Sequence, residues 1–167
     1  RRWGMSAGVA IAVRQHIGLA ETGTRASTLL DMHTGRFMCK LVGQICKGGV
    51  HCGSVYAYSS IGIAAKKNLD LLQGVAAYVR SVVGPWIIGG DWNCAPQQLE
   101  ATGWPALVGG VIHALEAPTA GGRVIDFFVV SNALTHAVYA TRAIGDMCFL
   151  PHSPVRLLLR ARPRSVY

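Results

Sequence analysis

Five polar side chains sit where apolar runs begin, end or are interrupted. Asp91 and Asn93 close "WIIGGDWN", Tyr58 closes "VYAYSS", Asp126 falls inside "RVIDFFVVS", and His152 comes just before "SPVRLLLRAR". Carboxylates and amides hold a hard cation and a water, whereas an imidazole handles a proton or the charge on a phosphate. An acid, an amide, a second acid, a phenol and an imidazole at strand ends therefore suit metal-assisted hydrolysis of a phosphodiester. Each residue also has a plainer reading. Asp91 alone fits a turn acid or helix N-cap, His152 a structural loop residue, and Tyr58 a core aromatic with a satisfied hydroxyl. His16, His33, His51, His113 and His136 have no motif around them and read as structural or surface residues.

The elements that must carry these groups follow from periodicity. "AGVAIAVR" (Ala7 to Arg14) alternates Val9, Ile11 and Val13 with Ala, the pattern of a strand with one face in a core. "RASTLLDM", "RFMCKLVGQI" and "VHCGSVYAYSS" predict three more strands, with a hairpin turn at His33 to Gly35. The period then changes. In "AAKKNLDLLQGVAAYVRSVV" Leu69, Leu72, Ala76, Val79 and Val83 form a helical stripe, and Gly84-Pro85 ends it. "WIIGGDWN" reads as a short strand at the middle of a buried sheet. Further strands are expected at "GGVIHAL", "RVIDFFVVS", "HAVYATR" and "SPVRLLLRAR". Strands, one long helix and more strands predict an α/β sandwich of two mainly antiparallel sheets flanked by helices. A doubly wound parallel fold would need more alternating helices.

Composition narrows the class. The chain of 167 residues fits one domain, residues 1–167, with no repeat or linker. Apolar residues make up 51% and charged residues 14%, and mean hydropathy is +0.33. No apolar window is long enough for a spanning helix, so the surplus is expected in a core or on a partner-facing surface. A net charge of +8 favours a polyanionic partner such as nucleic acid. Arg residues gather near the ends, at Arg1, Arg2, Arg156, Arg160, Arg162 and Arg164. Five cysteines without a close C-x-x-C pair argue against a disulfide framework and for a reducing intracellular compartment. Cys46, His51 and Cys52 lack the second ligand pair that a structural zinc site wants.

Three motifs in order give a resemblance. "GGDWN" is similar to G-D-x-N, "VIDFFVVSNAL" to an I-D-(Y/F) apolar run, and "PHSPVRL" to S-D-H-x-P-V, as these occur in the endonuclease/exonuclease/phosphatase superfamily. That family includes abasic-site endonucleases, pancreatic-type deoxyribonuclease and the endonuclease domains of non-LTR retrotransposons, which "GPWIIGGDWN" especially resembles. The resemblance implies Mg²⁺-dependent phosphodiester hydrolysis. Asp91 would orient or deprotonate the attacking water, Asn93 would position water and phosphate, His152 would bind the phosphate oxygens, Asp126 would orient His152, and Tyr58 would donate to the phosphate.

Two departures from the family pattern are expected to weaken the cation's hold and with it the activity. The family's metal-binding Glu precedes the strand that "AGVAIAVR" resembles, so the chain is expected to correspond to the C-terminal two-thirds of the family fold without its first strands. Pro151 stands where the family has Asp. Asp91 is then the one candidate metal ligand. Trp92, with Trp86 and Trp104, has two readings, a base-stacking surface or core packing. Arg156 and Arg160 read as a phosphate-tracking stripe or a solvated face. A non-catalytic subunit, docking a protein partner along an open sheet edge, is the alternative function.

Overall fold

The computed structural model describes residues 8–21, 35–43, 45–145 and 150–160. Six strands form one sheet: β1 (Leu19–Ala20), β2 (Phe37–Val42), β3 (Val50–Tyr56), β4 (Trp86–Asp91), β5 (Gly110–His113) and β6 (Asp126–Ser131). Their order is β1-β2-β3-β4-β6-β5. Strands β7 (Val138–Ala143) and β8 (Val155–Leu159) pair antiparallel in a second sheet. Four helices are described: α1 (Lys66–Ser81), α2 (Pro96–Glu100), α3 (Trp104–Leu107) and α4 (Asn132–Thr135). The pairing of β3 with β4 is parallel and every other pairing is antiparallel. A parallel pair needs a long crossover, and α1 supplies it. The expected sandwich is what forms, with β4, apolar up to Asp91, in the interior of the large sheet.

Alternation along β4 decides what faces what. Trp86 and Ile88 point to one side, where Val55, Phe127 and Val129 join Leu71, Leu72, Val75 and Val79 of α1 in the core. Ile87, Gly89 and Asp91 point to the other. There a cavity of about 550 Å³ is lined by Cys52, Ser54, Ile87 and Phe128 on the large sheet and by Leu157 and Leu159 on β8. The glycines of "GGD" let the strands approach this closely: a Cβ on Gly90 would lie 1.9 Å from the Val55 carbonyl oxygen. Gly90→Ala should therefore push β3 and β4 apart just before Asp91. The expected loss is at the upper end of the about 1–3 kcal/mol of overpacking, measured by chemical denaturation.

Several expectations are corrected. Residues 8–14 keep the alternating exposure that their sequence predicts, with Val9, Ile11 and Val13 half-buried, but pair with no strand among the described residues. Alternation records one covered face, and a strand also needs a neighbour for its backbone N–H and C=O groups. The strand at "RASTLLDM" and most of the hairpin turn lie outside the described residues, as do Arg1, Arg2, Arg162 and Arg164. Helix α1 buries Leu71, Leu72, Val75, Ala76, Tyr78 and Val79, while Leu69 is 44% and Val83 93% exposed. The apolar stripe is broader than one helical row, and docking on the sheet chose its flank. Among the described residues no helix is long and apolar enough to cross a membrane.

Candidate active site

Strand register brings the two carboxylates together. Asp91 is the last residue of β4, Asp126 the first of β6, and the antiparallel ladder sets them opposite one another. Asp126 thus begins its strand instead of lying inside it. His152 enters from the loop before β8, and its Nδ1 lies 2.9 Å from Asp126 Oδ2. Ligand atoms of Asp91, Asp126 and His152 all fall within 4.8 Å of one another. Asp91 and His152 line both of two adjoining hollows. One, of about 340 Å³, also has Ser54 and Tyr56 in its wall; the other, of about 170 Å³, includes Asp126 and Ser153.

The backbone after β4 turns sharply, and the site's own side chains make the turn. Asn93 has φ of 50°, a left-handed conformation that Asn tolerates better than most residues. Its N–H donates to Asp91 Oδ1 at 2.9 Å, and its side-chain amide donates to the Ala57 carbonyl at 2.9 Å. Asp91 is therefore pinned from behind and Asn93 is tied to the end of β3. Burial pushes the Asp91 carboxyl above the usual carboxylate range. The Asn93 N–H pulls it back, Asp126 pushes it up again, and His152 lowers it.

Thr119, fully buried, is a residue that sequence motifs did not single out. Its hydroxyl accepts the N–H groups of Ile125 and Asp126, both at 3.0 Å, and its carbonyl accepts the Ser153 N–H at 2.7 Å. One residue thereby fixes the start of β6 and the His152 loop together. Thr119→Val removes the acceptor and leaves the buried Ile125 N–H and the half-buried Asp126 N–H without it, at a cost of about 1–3 kcal/mol. Thr119→Ser should restore stability and the site, as read by denaturation and by His152 side-chain NMR shifts.

Tyr56, not Tyr58, reaches the cleft wall. Tyr56 is the register partner of Asp91 and ends β3. Beyond it the chain turns toward α1. The buried Asn68 side chain accepts the Tyr58 N–H at 2.8 Å and donates to its carbonyl at 3.0 Å, and Tyr58 is not among the residues lining the cleft. The alternation Cys52, Ser54, Tyr56 on the cleft-facing side of β3 was the signal that finds Tyr56 and Ser54.

Trp92 is a core residue. It is 0% exposed, its ring stacks on Phe127, and its indole N–H donates to the Phe127 carbonyl at 3.0 Å. A base-stacking role is excluded because side-chain alternation turns Trp92 away from Asp91, into the face covered by the helices. Trp86 and Trp104 are buried as well. Arg156 is exposed on β8 opposite Arg142 and borders the cavity between the sheets. Arg160, just past β8, lies 4.9 Å from the Tyr139 ring. Neither lines the Asp91 and His152 cleft. Cys46, His51 and Cys52 form no metal-binding group among the described residues. Burial lifts Cys39 and Cys52 to about 11 and Cys94 to about 12, so these thiols stay protonated at neutral pH.

No family model matches the sequence, and no curated protein does. Solved structures do match. The endonuclease domain of TRAS1, a telomere-specific non-LTR retrotransposon, superposes with a TM-score of 0.68 at 13% identity, over 87% of this chain and 68% of that one. The 3'-5' exonuclease NExo from Neisseria meningitidis matches with 0.61 at 17% identity, over 87% of this chain and 71% of that one. The AP endonuclease LMAP from Leishmania major matches with 0.59 at 13% identity, over 77% of this chain and 55% of that one. The chain thus spans little more than half the length of the Leishmania enzyme. Two packed sheets, a crossover helix and polar groups gathered at the strand ends give this chain the fold of the endonuclease/exonuclease/phosphatase superfamily.

Proposed function

We propose that this chain is a divalent-cation-dependent phosphodiesterase acting on nucleic acid, with Mg²⁺ as the cation. The observation that carries the reading is the Asp126 and His152 pair, 2.9 Å apart, set against the pinned Asp91 across one open cleft.

The residues present suit such an ion. Asp126 is engaged in holding His152 through Nδ1, so the hard donor for the ion is the Asp91 carboxylate, which burial and the facing Asp126 hold up. Mg²⁺ commonly binds through one or two carboxylates while keeping several waters. Bound there, it would neutralise charge on the phosphate oxygens. Pro151 stands where the family has Asp and leaves a lean ligand set among the described residues, so half-maximal activity is expected only in the millimolar range of Mg²⁺.

The chain's own groups supply the rest. Asp91, buried and shifted toward neutrality, takes a proton from the attacking water. Asn93, tied to Ala57 through one N–H, keeps its other amide valences for the water or the phosphate. Asp126 holds the His152 ring with Nδ1 toward itself, leaving Nε2 for a phosphate oxygen, where charge develops in the transition state. Tyr56 in the cleft wall offers a phenol to the same phosphate.

The test is nicking of supercoiled plasmid with and without Mg²⁺, beside an Asp91 variant. Nicking that needs the metal and disappears in the variant supports the reading; nicking that survives in the variant rejects it. A non-catalytic subunit docking on an open sheet edge is not better supported: the edge strands of the six-stranded sheet, β1 of two residues and β5 of four, offer a partner strand little to pair with.

A further inference from the structure

The small sheet carries a basic face of its own. In β8, Val155, Leu157 and Leu159 line the cavity between the sheets, so alternation turns Arg156 and Leu158 outward, with Arg156 at the cavity's rim. The Arg160 N–H donates to the Ala137 carbonyl at 2.7 Å, which continues the ladder one residue past the Val138 and Leu159 pair and puts Arg160 on the outward face as well. Arg142 is the register partner of Arg156. Residues directly opposite one another share a face of a sheet, so Arg142, Arg156 and Arg160 stand on one side of the ribbon. Tyr139, at the irregularity between Val138 and Ala140, is 54% exposed, and the Arg160 guanidinium carbon lies 4.9 Å from its ring centroid.

Setting Arg142 against Arg156 is unfavourable as it stands. Like charges directly opposite one another destabilise an antiparallel ladder, and neither guanidinium has a carboxylate partner among the described residues, whereas Lys40 and Lys66 are paired with Glu21 and Asp70. Both arginines are exposed. An oxyanion between them turns the repulsion into two charge-assisted contacts, and the planar fork of each guanidinium matches the oxygens of a phosphate. Position says where such a phosphate belongs. Val155, the residue before Arg156, lines the smaller hollow beside Asp91 and His152. Arg160 is four residues further on, about 13 Å at the usual rise of a strand, which matches the rise of roughly four nucleotides in one strand of nucleic acid.

We propose that Arg142 and Arg156 together hold one phosphate of the nucleic acid outside the cleft, and that Arg160, oriented by the Tyr139 ring, holds another further along the same strand. This rests on nucleic acid being the substrate of the Asp91 and His152 cleft. The outer face of the β7 and β8 ribbon is then a track that begins beside the cleft wall and leads away from it. A polynucleotide long enough to occupy cleft and track at once gains contacts that a short one lacks. An anionic membrane fits this face less well. Among the described residues Tyr139 is the one large apolar side chain exposed on it, and two guanidiniums facing one another suit a discrete phosphate.

The test is binding of a fluorescein-labelled oligonucleotide across a salt series. Arg142→Gln and Arg156→Gln are each expected to weaken affinity about three- to tenfold, the loss of one exposed charge-assisted contact. The double variant should reduce the salt slope by about one, the count for a single shared phosphate. Charge reversal separates binding from folding: Arg142→Glu should raise the urea midpoint by pairing with Arg156 across the ladder and at the same time weaken binding. Hydrolysis of bis(4-nitrophenyl) phosphate, which has no neighbouring phosphate, should stay within about twofold in each variant, since these arginines lie outside the cleft. Unchanged affinity and slope, or equal losses on the small ester, would overturn the proposal. So would displacement of the oligonucleotide by phosphatidylserine vesicles whose own binding depends on the same two arginines. If the wild-type chain cleaves neither plasmid nor ester, the functional reading has failed, and the oligonucleotide titration still decides this one.

Discussion

Asp91→Asn should abolish most hydrolysis and yet stabilise the fold at neutral pH. The catalytic loss is that of a positioned base, about 10²- to 10⁴-fold in kcat, read by plasmid nicking at saturating Mg²⁺. The stability gain has a different origin. Burial and the facing Asp126 raise the Asp91 carboxyl above its ordinary range, so the folded state binds this proton more tightly than the unfolded chain. Stability linked to this group is then fully present below the unfolded value and is lost as pH rises through the raised folded value. Above that window the native protein holds a charge it would shed. Asn removes the charge and still accepts the Asn93 N–H. The urea midpoint of Asp91→Asn should exceed that of wild type at pH 7.5, and the difference should vanish at pH 3. An unaltered or lower midpoint at pH 7.5 would mean that Asp91 is not desolvated as its surroundings imply.

His152→Ala and Asp126→Asn should each cost about 10²- to 10³-fold, the loss of a preorganised donor at a developing charge. The double variant should cost little more than the worse single one. The reason is geometric: Asp126 acts on the reaction through the 2.9 Å contact that holds the His152 ring, so once the ring is gone its partner has nothing to orient. Multiplied losses would show Asp126 acting separately, as a carboxylate in contact with the cation. Kinetics on plasmid, with circular dichroism to establish folding, separates these outcomes.

Most residues of the candidate site were legible in the sequence. Asp91, Asn93, Asp126 and His152 stand at the ends of runs whose alternation marks strands, and strand ends are where a sheet exposes side chains to a ligand. The placing of "WIIGGDWN" at the sheet centre followed from its being apolar on both faces. Trp92 was ambiguous because a ring beside an acid suits a ligand as well as a core. Only the packing of Trp92 on Phe127 and beneath α3 shows that its side of the turn is dry.

What the sequence determined by itself is periodic and local: which stretches are strands, where the long helix lies, and which polar groups end the apolar runs. Those properties depend on neighbours in the chain. The tertiary structure decided the flank of α1 that is buried, the choice of Tyr56 over Tyr58 at the cleft, the role of Thr119 in tying two segments together, and the facing of Asp91 with Asp126. Each of these depends on register and docking between segments far apart in sequence. A shift of one residue in the β3 and β4 register would turn Tyr56 to the helix side, and no local pattern records which register wins.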